Sequence, residues 1–315
     1  MKDGWQAAQI GGVPQWLSVR GSDVRAPVLL YLHGGPGGSE YGPRRKYLAR
    51  LERRWRVVEW EQRGAGRSYR GDETRATLTF ARLVLDGVEV VDWARRALGV
   101  ERIVLVGHSF GTVLGVAIAQ RVPERLRAYV GVSQVVDWAA QETHGYDFAL
   151  SEARRRDDTK AVRSLERIGR PVDGAYAIGV RGVEIQRRWL GTFGGIAPSP
   201  SFLLRWVLST MTVRDYPIAA KLGYSRAMRR SMELLWSELG REIDLVRTAP
   251  SLSLPVQLFH GRSDHITPLE LVERWYKRLA APSKRLEVVD GAGHLVPFET
   301  PDRFIDFLEP LRDAP

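Results

Sequence analysis

The sequence predicts an α/β fold with a mostly parallel sheet, helices on both faces and an inserted helical cap. Short β-branched runs alternate with helical patterns at both ends of the chain, and this alternation is typical of a parallel sheet covered on both sides. Between them, the spacing becomes helical, rich in Arg and Glu and without a convincing strand. We therefore expect a core domain of residues 1–137 and 251–315 and a cap domain of residues 138–250.

Composition excludes several classes of protein. The chain has 315 residues, enough for a large core, and no cysteine, which excludes disulfides and thiolate nucleophiles. No stretch approaches the roughly 18 apolar residues of a membrane span, and the N-terminus lacks a signal peptide's apolar core. The net charge of +10 is spread over short arginine groups with acidic neighbours, which disfavours a nucleic-acid partner. We expect a cytoplasmic protein without a membrane partner.

Glycine-rich loops follow the strands expected in the N-terminal part. Two strands are expected within residues 6–35, and the second of them runs from Val28 to Leu32 into the loop at 33–38. A later strand, Trp55 to Trp60, runs into a second glycine-rich loop at 61–68. Helical spacing then extends over residues 75–98 up to Gly99, a residue type common after helices.

The central motif is Gly107-His-Ser-Phe-Gly111, which lies between a strand-like run, Ile103 to Val106, and a helical pattern from Phe110 to Arg121. This arrangement predicts a nucleophile elbow, a sharp strand-to-helix turn that exposes a serine hydroxyl. Glycines are needed on both sides of the serine because a Cβ would clash with the closely packed backbone. Ser109 is therefore the candidate nucleophile.

The core is expected to continue on either side of the cap. A strand is predicted from Ala128 to Val136 before the cap, and further elements follow it. In order, these are a strand at 255–259 with a polar loop at 260–265, a helix at 268–280, a strand at 285–289 with a loop at 290–294, and a helix from Pro301.

Polar or glycine-rich loops thus follow five predicted strands, and in a doubly wound sheet such loops meet at one edge. A serine nucleophile needs a base and an acid that orients the base. His294 is the candidate base, because the other five histidines lie beside glycines, in the cap or next to the proposed acid. Asp264 is the candidate acid, and Asp137 is the alternative.

Backbone N–H groups are expected to form the oxyanion hole. One comes from Phe110, the residue after the nucleophile, and the other from the loop at 33–38, where Gly35 is favoured over Gly34. The neighbouring Glu61-Gln-Arg63 segment fits a brace between loops better than a substrate contact.

Five motifs together resemble one family. They are His33-Gly-Gly-Pro-Gly37, Trp60-Glu-Gln-Arg-Gly-Ala-Gly-Arg-Ser68, Gly107-His-Ser-Phe-Gly111, Gly261-Arg-Ser-Asp264 and Gly293-His294. The residues of these motifs and their order along the chain are similar to those of the proline-iminopeptidase-like branch of the α/β-hydrolase superfamily. The resemblance implies the α/β-hydrolase fold with an eight-stranded, mostly parallel sheet, a helical cap and a serine triad, with release of N-terminal residues as the namesake activity.

These observations favour a serine hydrolase that needs no cofactor or metal and forms an acyl-Ser109 intermediate. The expected substrate is a small amide, such as an N-terminal aminoacyl bond, whose ammonium would need a carboxylate from the cap; Glu184, Glu233 and Glu238 are candidates. A small ester or lactone is the alternative substrate. A binding protein with an idle hydrolase fold is the alternative of another class, and the oligomeric state is left open.

Overall fold

A computed structural model describes residues 3–312. Its described part contains an eight-stranded sheet. The strands are β1 (Gly4–Ile10), β2 (Val13–Arg20), β3 (Val28–Leu32), β4 (Arg56–Glu61), β5 (Ile103–His108), β6 (Leu126–Val132), β7 (Val256–Gly261) and β8 (Lys284–Val289). Their spatial order is β1-β2-β4-β3-β5-β6-β7-β8, and only the pairings of β2 with β1 and β4 are antiparallel.

Both faces of the sheet are covered, which explains the unbroken apolar runs in its central strands. All five residues of β3 and all six of β5 are buried. Successive residues of β3 point to opposite faces, so that Leu30 and Leu32 join one apolar core while Leu29 and Tyr31 join the other.

The helices of the described chain fall into two groups. Those that pack with the sheet are α1 (Tyr41–Tyr47), α2 (Phe80–Leu98), α3 (Phe110–Arg121), α10 (Leu269–Arg278), α11 (Val296–Glu299) and α12 (Pro301–Leu308). Those that lie between β6 and β7 are α4 (Trp138–Arg155), α5 (Thr159–Ile168), α6 (Val180–Thr192), α7 (Pro200–Thr212), α8 (Ile218–Glu242) and α9 (Leu245–Thr248). We call residues 138–250 the helical insertion. None of the helices within residues 3–312 combines the length and the apolar character that crossing a membrane requires.

Helix α2 shows how local sequence sets the ends of an element. Its first turn is capped by the Thr79 hydroxyl, which accepts a hydrogen bond from the Arg82 N–H. Its last turn is followed by Gly99 in the left-handed conformation at φ +67°, a conformation that glycine adopts at little cost. The helix predicted for 75–98 begins five residues later than expected, because residues 74–78 form a turn.

The predicted strand at 128–136 also ends early, because β6 stops at Val132 and Ser133 adopts a positive φ of 49°. The chain turns there toward the insertion, whose first helix is capped by Asp137. This sharp exit leaves the following loop at the carboxyl edge of the sheet, beside the loops that follow β5 and β8.

Candidate active site

Three side chains from three separate loops meet at the carboxyl edge of the sheet. Ser109 follows β5, Asp264 follows β7 and His294 follows β8. The Ser109 Oγ lies 2.9 Å from the His294 Nε2. The His294 Nδ1 lies 2.9 Å from the Asp264 Oδ2. This chain of hydrogen bonds can pass a proton from the hydroxyl to the imidazole while the carboxylate holds the ring.

Close backbone packing holds Ser109 in its turn. The serine adopts φ 52° and ψ −122°, between the end of β5 and the start of α3. A Cβ at Gly107 would lie 2.4 Å from the Gly111 carbonyl oxygen, and one at Gly111 would lie 2.2 Å from the Leu32 carbonyl oxygen. Both glycines are thus required by sterics, as the elbow motif predicted.

Asp264 is a buried carboxylate with several hydrogen-bond donors. Its Oδ1 accepts from the N–H groups of Ile266 and Thr267, each at 2.9 Å, and its Oδ2 accepts from the Thr267 hydroxyl at 2.6 Å. Burial alone would raise the pKa of Asp264, but the charge and hydrogen bond of His294, the nearby His260 and the Thr267 hydroxyl hold it well below its usual range. The carboxylate therefore stays ionised beside the imidazole.

Asp137, the alternative acid, is occupied elsewhere. Its Oδ1 accepts from the Ala140 N–H at 2.9 Å, which caps α4. Its Oδ2 lies 3.5 Å from Arg274. The geometry therefore brings Asp264, and not Asp137, to the histidine.

A second buried pair lies beside the first. The His108 Nδ1 lies 2.7 Å from a carboxylate oxygen of Glu40, and its Nε2 lies 3.0 Å from the main-chain carbonyl of His294. The other Glu40 oxygen accepts from the Tyr31 hydroxyl at 2.9 Å. Because both ring nitrogens of His108 face oxygens that carry no proton, the ring is best satisfied as an imidazolium.

The pKa shifts of Glu40 and His108 agree with a charged pair. Burial opposes ionisation of both groups, but the Glu40 carboxylate and the His294 carbonyl raise the pKa of His108 above its usual value. Conversely, the charge and hydrogen bond of His108 lower the pKa of Glu40 despite its burial. An ionised carboxylate and imidazolium therefore lie within the same shell of residues as the triad.

A cavity of about 410 Å³ opens onto Ser109 and His294. This volume is in the range of small-molecule sites. Its walls are largely apolar and come from the core and from the insertion; among them are Val135, Trp138, Val183, Leu203, Trp206, Met228, Met232, Trp236 and Leu295. The few polar side chains include Glu40, Gln141, Glu184 and Arg187. The cavity is thus shaped for a compact and mostly apolar group.

The three predicted ammonium-binding carboxylates have different positions. Glu184 lines the cavity, where it also pairs with Arg229 at 2.7 Å. Glu233 lies 3.8 Å from Arg230, and Glu238 accepts from the Phe80 N–H at 3.1 Å. Neither Glu233 nor Glu238 is among the residues that line the cavity.

The predicted oxyanion donors lie around Ser109, the candidate nucleophile. Gly35 lines the cavity, and Phe110 is the first residue of α3, directly after Ser109. A Cβ at Gly34 would lie 3.1 Å from the Ser109 Cβ. The loop at 33–38 therefore approaches Ser109 closely enough for one of its backbone N–H groups to act as an oxyanion donor.

The Glu61-Gln-Arg63 segment braces loops. The Gln62 side-chain N–H donates to the His33 carbonyl at 2.9 Å, and Arg63 is buried with Asp86, Nε to Oδ2 at 2.7 Å. Neither lines the cavity. The segment thus fixes the shape of the glycine loop next to Ser109.

Sequence reasoning did not single out Glu40, Gln141 or Thr267. Glu40 lies in no recognisable motif, and its partner His108 is 68 residues away in the chain. Thr267 could have been found from its place three residues after the acid, because such a hydroxyl can hydrogen-bond back to the carboxylate, as it does here.

Comparisons with known proteins agree with this architecture. Residues 27–167 match the family described as alpha/beta hydrolase fold, and residues 177–301 match the family described as serine aminopeptidase. A probable aminopeptidase of Bacillus subtilis is 30% identical over 304 residues, which cover 95% of this chain and 93% of that protein. The proline iminopeptidase of Xylella fastidiosa is 27% identical over 85% of this chain and 83% of its own length.

Solved structures show the same fold. A proline iminopeptidase-related protein from Thermus thermophilus superimposes with a TM-score of 0.70 at 22% identity, over the full length of both chains. An esterase from Rhodococcus superimposes with a TM-score of 0.66 at 17% identity, also over both full lengths. These structures share the fold, and the relative at 30% identity gives the family: this chain is an α/β hydrolase of the proline-iminopeptidase-like branch.

Proposed function

We propose that this protein is a serine hydrolase that releases the N-terminal residue of a small amide or peptide. The observation that carries the proposal is the continuous line of hydrogen bonds from Ser109 through His294 to Asp264, with 2.9 Å at each step. A serine in this arrangement is an activated nucleophile, whereas an idle binding fold has no use for all three groups.

In the proposed reaction, the Ser109 Oγ attacks the carbonyl carbon and its proton passes to the His294 Nε2. Backbone N–H groups of Phe110 and Gly35 stabilise the oxyanion, and one such donor typically contributes about 3 kcal/mol to the barrier reduction. The imidazolium then protonates the leaving nitrogen, and the C–N bond breaks to give acyl-Ser109. Water, deprotonated by His294, then attacks the ester carbon to form a second tetrahedral intermediate. This intermediate collapses, the bond to the Ser109 Oγ breaks, and the His294 imidazolium returns its proton to that oxygen.

The polar groups in the cavity favour an amide over an ester. Gln141 is 2% exposed, lines the cavity and has a side-chain carbonyl oxygen without a hydrogen-bond partner among the described residues. A buried acceptor left unpaired costs free energy, which a ligand N–H would recover. An amide N–H or a free ammonium supplies such a donor, and an ester without an amine does not. Glu184 on the same cavity supplies a carboxylate for the ammonium.

An ester substrate is the second candidate, and one observation favours it. Both carboxylates that line the cavity already have cationic partners, since Glu40 pairs with His108 and Glu184 pairs with Arg229. If these pairs persist with substrate bound, the apolar walls suit an uncharged ester better than an ammonium, whose burial without a counterion is costly.

A labelling experiment tests the nucleophile first. A fluorophosphonate should label the wild-type protein and leave Ser109→Ala unlabelled, while both proteins melt at similar temperatures. The wild type is then assayed on matched aminoacyl p-nitroanilides and p-nitrophenyl esters with apolar acyl groups. Labelling of Ser109→Ala would refute the serine mechanism. A wild type that cleaves only the esters, or prefers N-acylated to free-amine anilides, would refute the aminopeptidase.

A further inference from the structure

Exposed apolar side chains are concentrated in one part of the insertion. Within residues 3–312, ten large hydrophobic side chains are exposed, and six of these lie on α7 or the first turns of α8. The six are Leu204, Val207, Leu208, Met211, Ile218 and Leu222. We call them the apolar stripe. Single exposed apolar residues are ordinary, but a group of this kind indicates an interaction surface.

Helix α7 carries apolar residues on its exposed side as well as on its packed side. Its exposed residues 204, 207, 208 and 211 follow the spacing of one helical face, whereas Ser209 and Thr210 are the buried ones. The buried face packs on α1, where a Cβ at Gly42 would lie 2.4 Å from the Thr210 Cα. The helix also packs inward through the partly buried Phe202, Leu203 and Trp206, and it presents a second apolar face to solvent.

The same segment is strongly basic. Residues 200–232 contain six Lys or Arg and a single carboxylate, Asp215, which is itself held by Arg20 and Tyr41. Arg205, Arg214 and Arg226 are exposed, and none of them forms an ion pair with another described residue. The partner of this surface must therefore tolerate both apolar contact and uncompensated positive charge.

A groove beside the end of α7 adds to this charge. It has a volume of about 490 Å³ and lies between residues of α1 and the segment from Ser209 to Asp215. Lys46 and Arg214 line it, and in the described chain neither has a carboxylate partner, while Asp215, which also lines it, is paired with Arg20. Such a groove fits an anionic head group.

We propose that the apolar stripe and its flanking arginines dock on an anionic lipid surface. An interfacial helix combines an apolar face with Lys and Arg around it, and this is the composition of α7 with the start of α8. A second copy of the chain is a poorer occupant, because a two-fold interface would bring the same unpaired arginines of both copies together. The expectation of no membrane partner came from the lack of a span, which surface docking does not need.

The location of the stripe connects it to the catalytic cavity. Leu203 and Trp206 of α7 and Tyr224 and Met228 of α8 line that cavity, while other faces of the same two helices carry the stripe. Docking would therefore place one wall of the cavity against the lipid. The inference concerns binding and does not depend on whether the substrate is an amide or an ester.

Vesicle flotation tests the proposal with the full chain carrying Ser109→Ala, which removes turnover. This protein should float with vesicles of phosphatidylcholine and phosphatidylglycerol, less at high salt, and little with phosphatidylcholine alone. The triple change Leu204→Gln, Leu208→Gln and Leu222→Gln should lower the partition coefficient about tenfold or more. The triple change Arg205→Gln, Arg214→Gln and Arg226→Gln should weaken binding to anionic vesicles and remove most of its salt dependence.

Matched triples elsewhere serve as controls. Val24→Gln, Val172→Gln and Ile178→Gln remove exposed apolar groups outside the stripe, and Arg163→Gln, Arg167→Gln and Arg181→Gln remove exposed unpaired arginines outside it. Both controls should bind like the parent, and all variants should keep its melting temperature. No flotation of the parent, or equal loss in stripe and control variants, would overturn the proposal. A concentration-dependent dimer abolished by the leucine changes, without vesicle binding, would assign the face to a second copy instead.

Discussion

The His108 ring donates from its Nε2 to the main-chain carbonyl of His294 over 3.0 Å, so one buried imidazole supports the backbone of another. The centroids of the two rings are 5.3 Å apart. Ser133 donates to the same carbonyl over 2.8 Å. The candidate base is thus held at its ring by Asp264 and at its backbone by two further side chains.

The charged pair of Glu40 and His108 predicts a pH-dependent stability. The pKa of His108 is raised above 6.5, so its contribution is complete below that pH and is lost as the pH rises through the folded-state pKa. The pKa of Glu40 is lowered from 4.5, so its contribution is complete above that value and is lost as the pH falls through the folded-state pKa. The stabilisation is therefore greatest between these two values.

Glu40→Gln should lower the free energy of unfolding by about 3–5 kcal/mol near pH 5.5, because it leaves a buried imidazolium without a counterion. The loss should shrink as the pH rises through the raised folded-state pKa of His108 and the ring deprotonates. Urea denaturation at several pH values measures both effects. Ser133→Ala removes a neutral hydrogen bond to the same carbonyl and should show no such pH dependence. If Glu40→Gln lowered the free energy of unfolding by the same amount at every pH, the pair would not be charged.

Gly111→Ala should prevent folding or lower stability by more than about 4 kcal/mol, because a Cβ there would lie 2.2 Å from a carbonyl oxygen. Gly223→Ala is the matched control, since nothing lies within 4 Å of the added Cβ in the second turn of α8. That change should be stabilising by roughly 0.5–1 kcal/mol. Thermal melting of both variants checks the prediction. Similar changes in melting temperature for the two variants would contradict the close packing at the elbow.

Asp264→Asn should reduce turnover by about 10⁴-fold, since an amide in that place neither fixes the productive tautomer nor stabilises the imidazolium. Asp137→Asn should change turnover only a few-fold, because Asp137 caps a helix away from the histidine. Steady-state kinetics on one confirmed substrate make the comparison. The opposite ranking would assign the acid to Asp137.

Glu184→Gln and Gln141→Leu should each raise the KM for a free-amine aminoacyl anilide, with little effect on an uncharged ester of similar size. Both residues line the cavity, and the free amine alone offers them a charged N–H donor. Glu233→Gln and Glu238→Gln are the controls, because those side chains lie outside the cavity lining and should leave both substrates unaffected. Equal changes for both substrates would favour the esterase.

The sequence predicted the carboxyl edge of the sheet well because five of its strands end in loops of recognisable chemistry. Ser109, Asp264 and His294 could be brought together from their order and from the rule that such loops share one edge. The eight-stranded sheet and the assignment to the proline-iminopeptidase-like branch are confirmed.

The insertion was harder to predict in detail. Helical spacing shows which residues share a face but not what that face meets, so Glu184 could not be separated from Glu233 and Glu238 before the helices were packed. Glu40 was missed for the related reason that its role depends on a partner far away in the chain. Helix α7 is apolar on more than one side, and no local pattern shows which of these sides faces solvent.

The elbow has a consequence for how this scaffold could change its chemistry. Its shape is set by Gly107, Gly111 and the backbone of β3, and the Ser109 side chain makes no capping hydrogen bond to α3. A different nucleophile could therefore occupy the same point without a new fold. Ser109→Cys and Ser109→Asp should both fold, and they would offer a laboratory route to thioester or alkyl-ester intermediates in the same cavity.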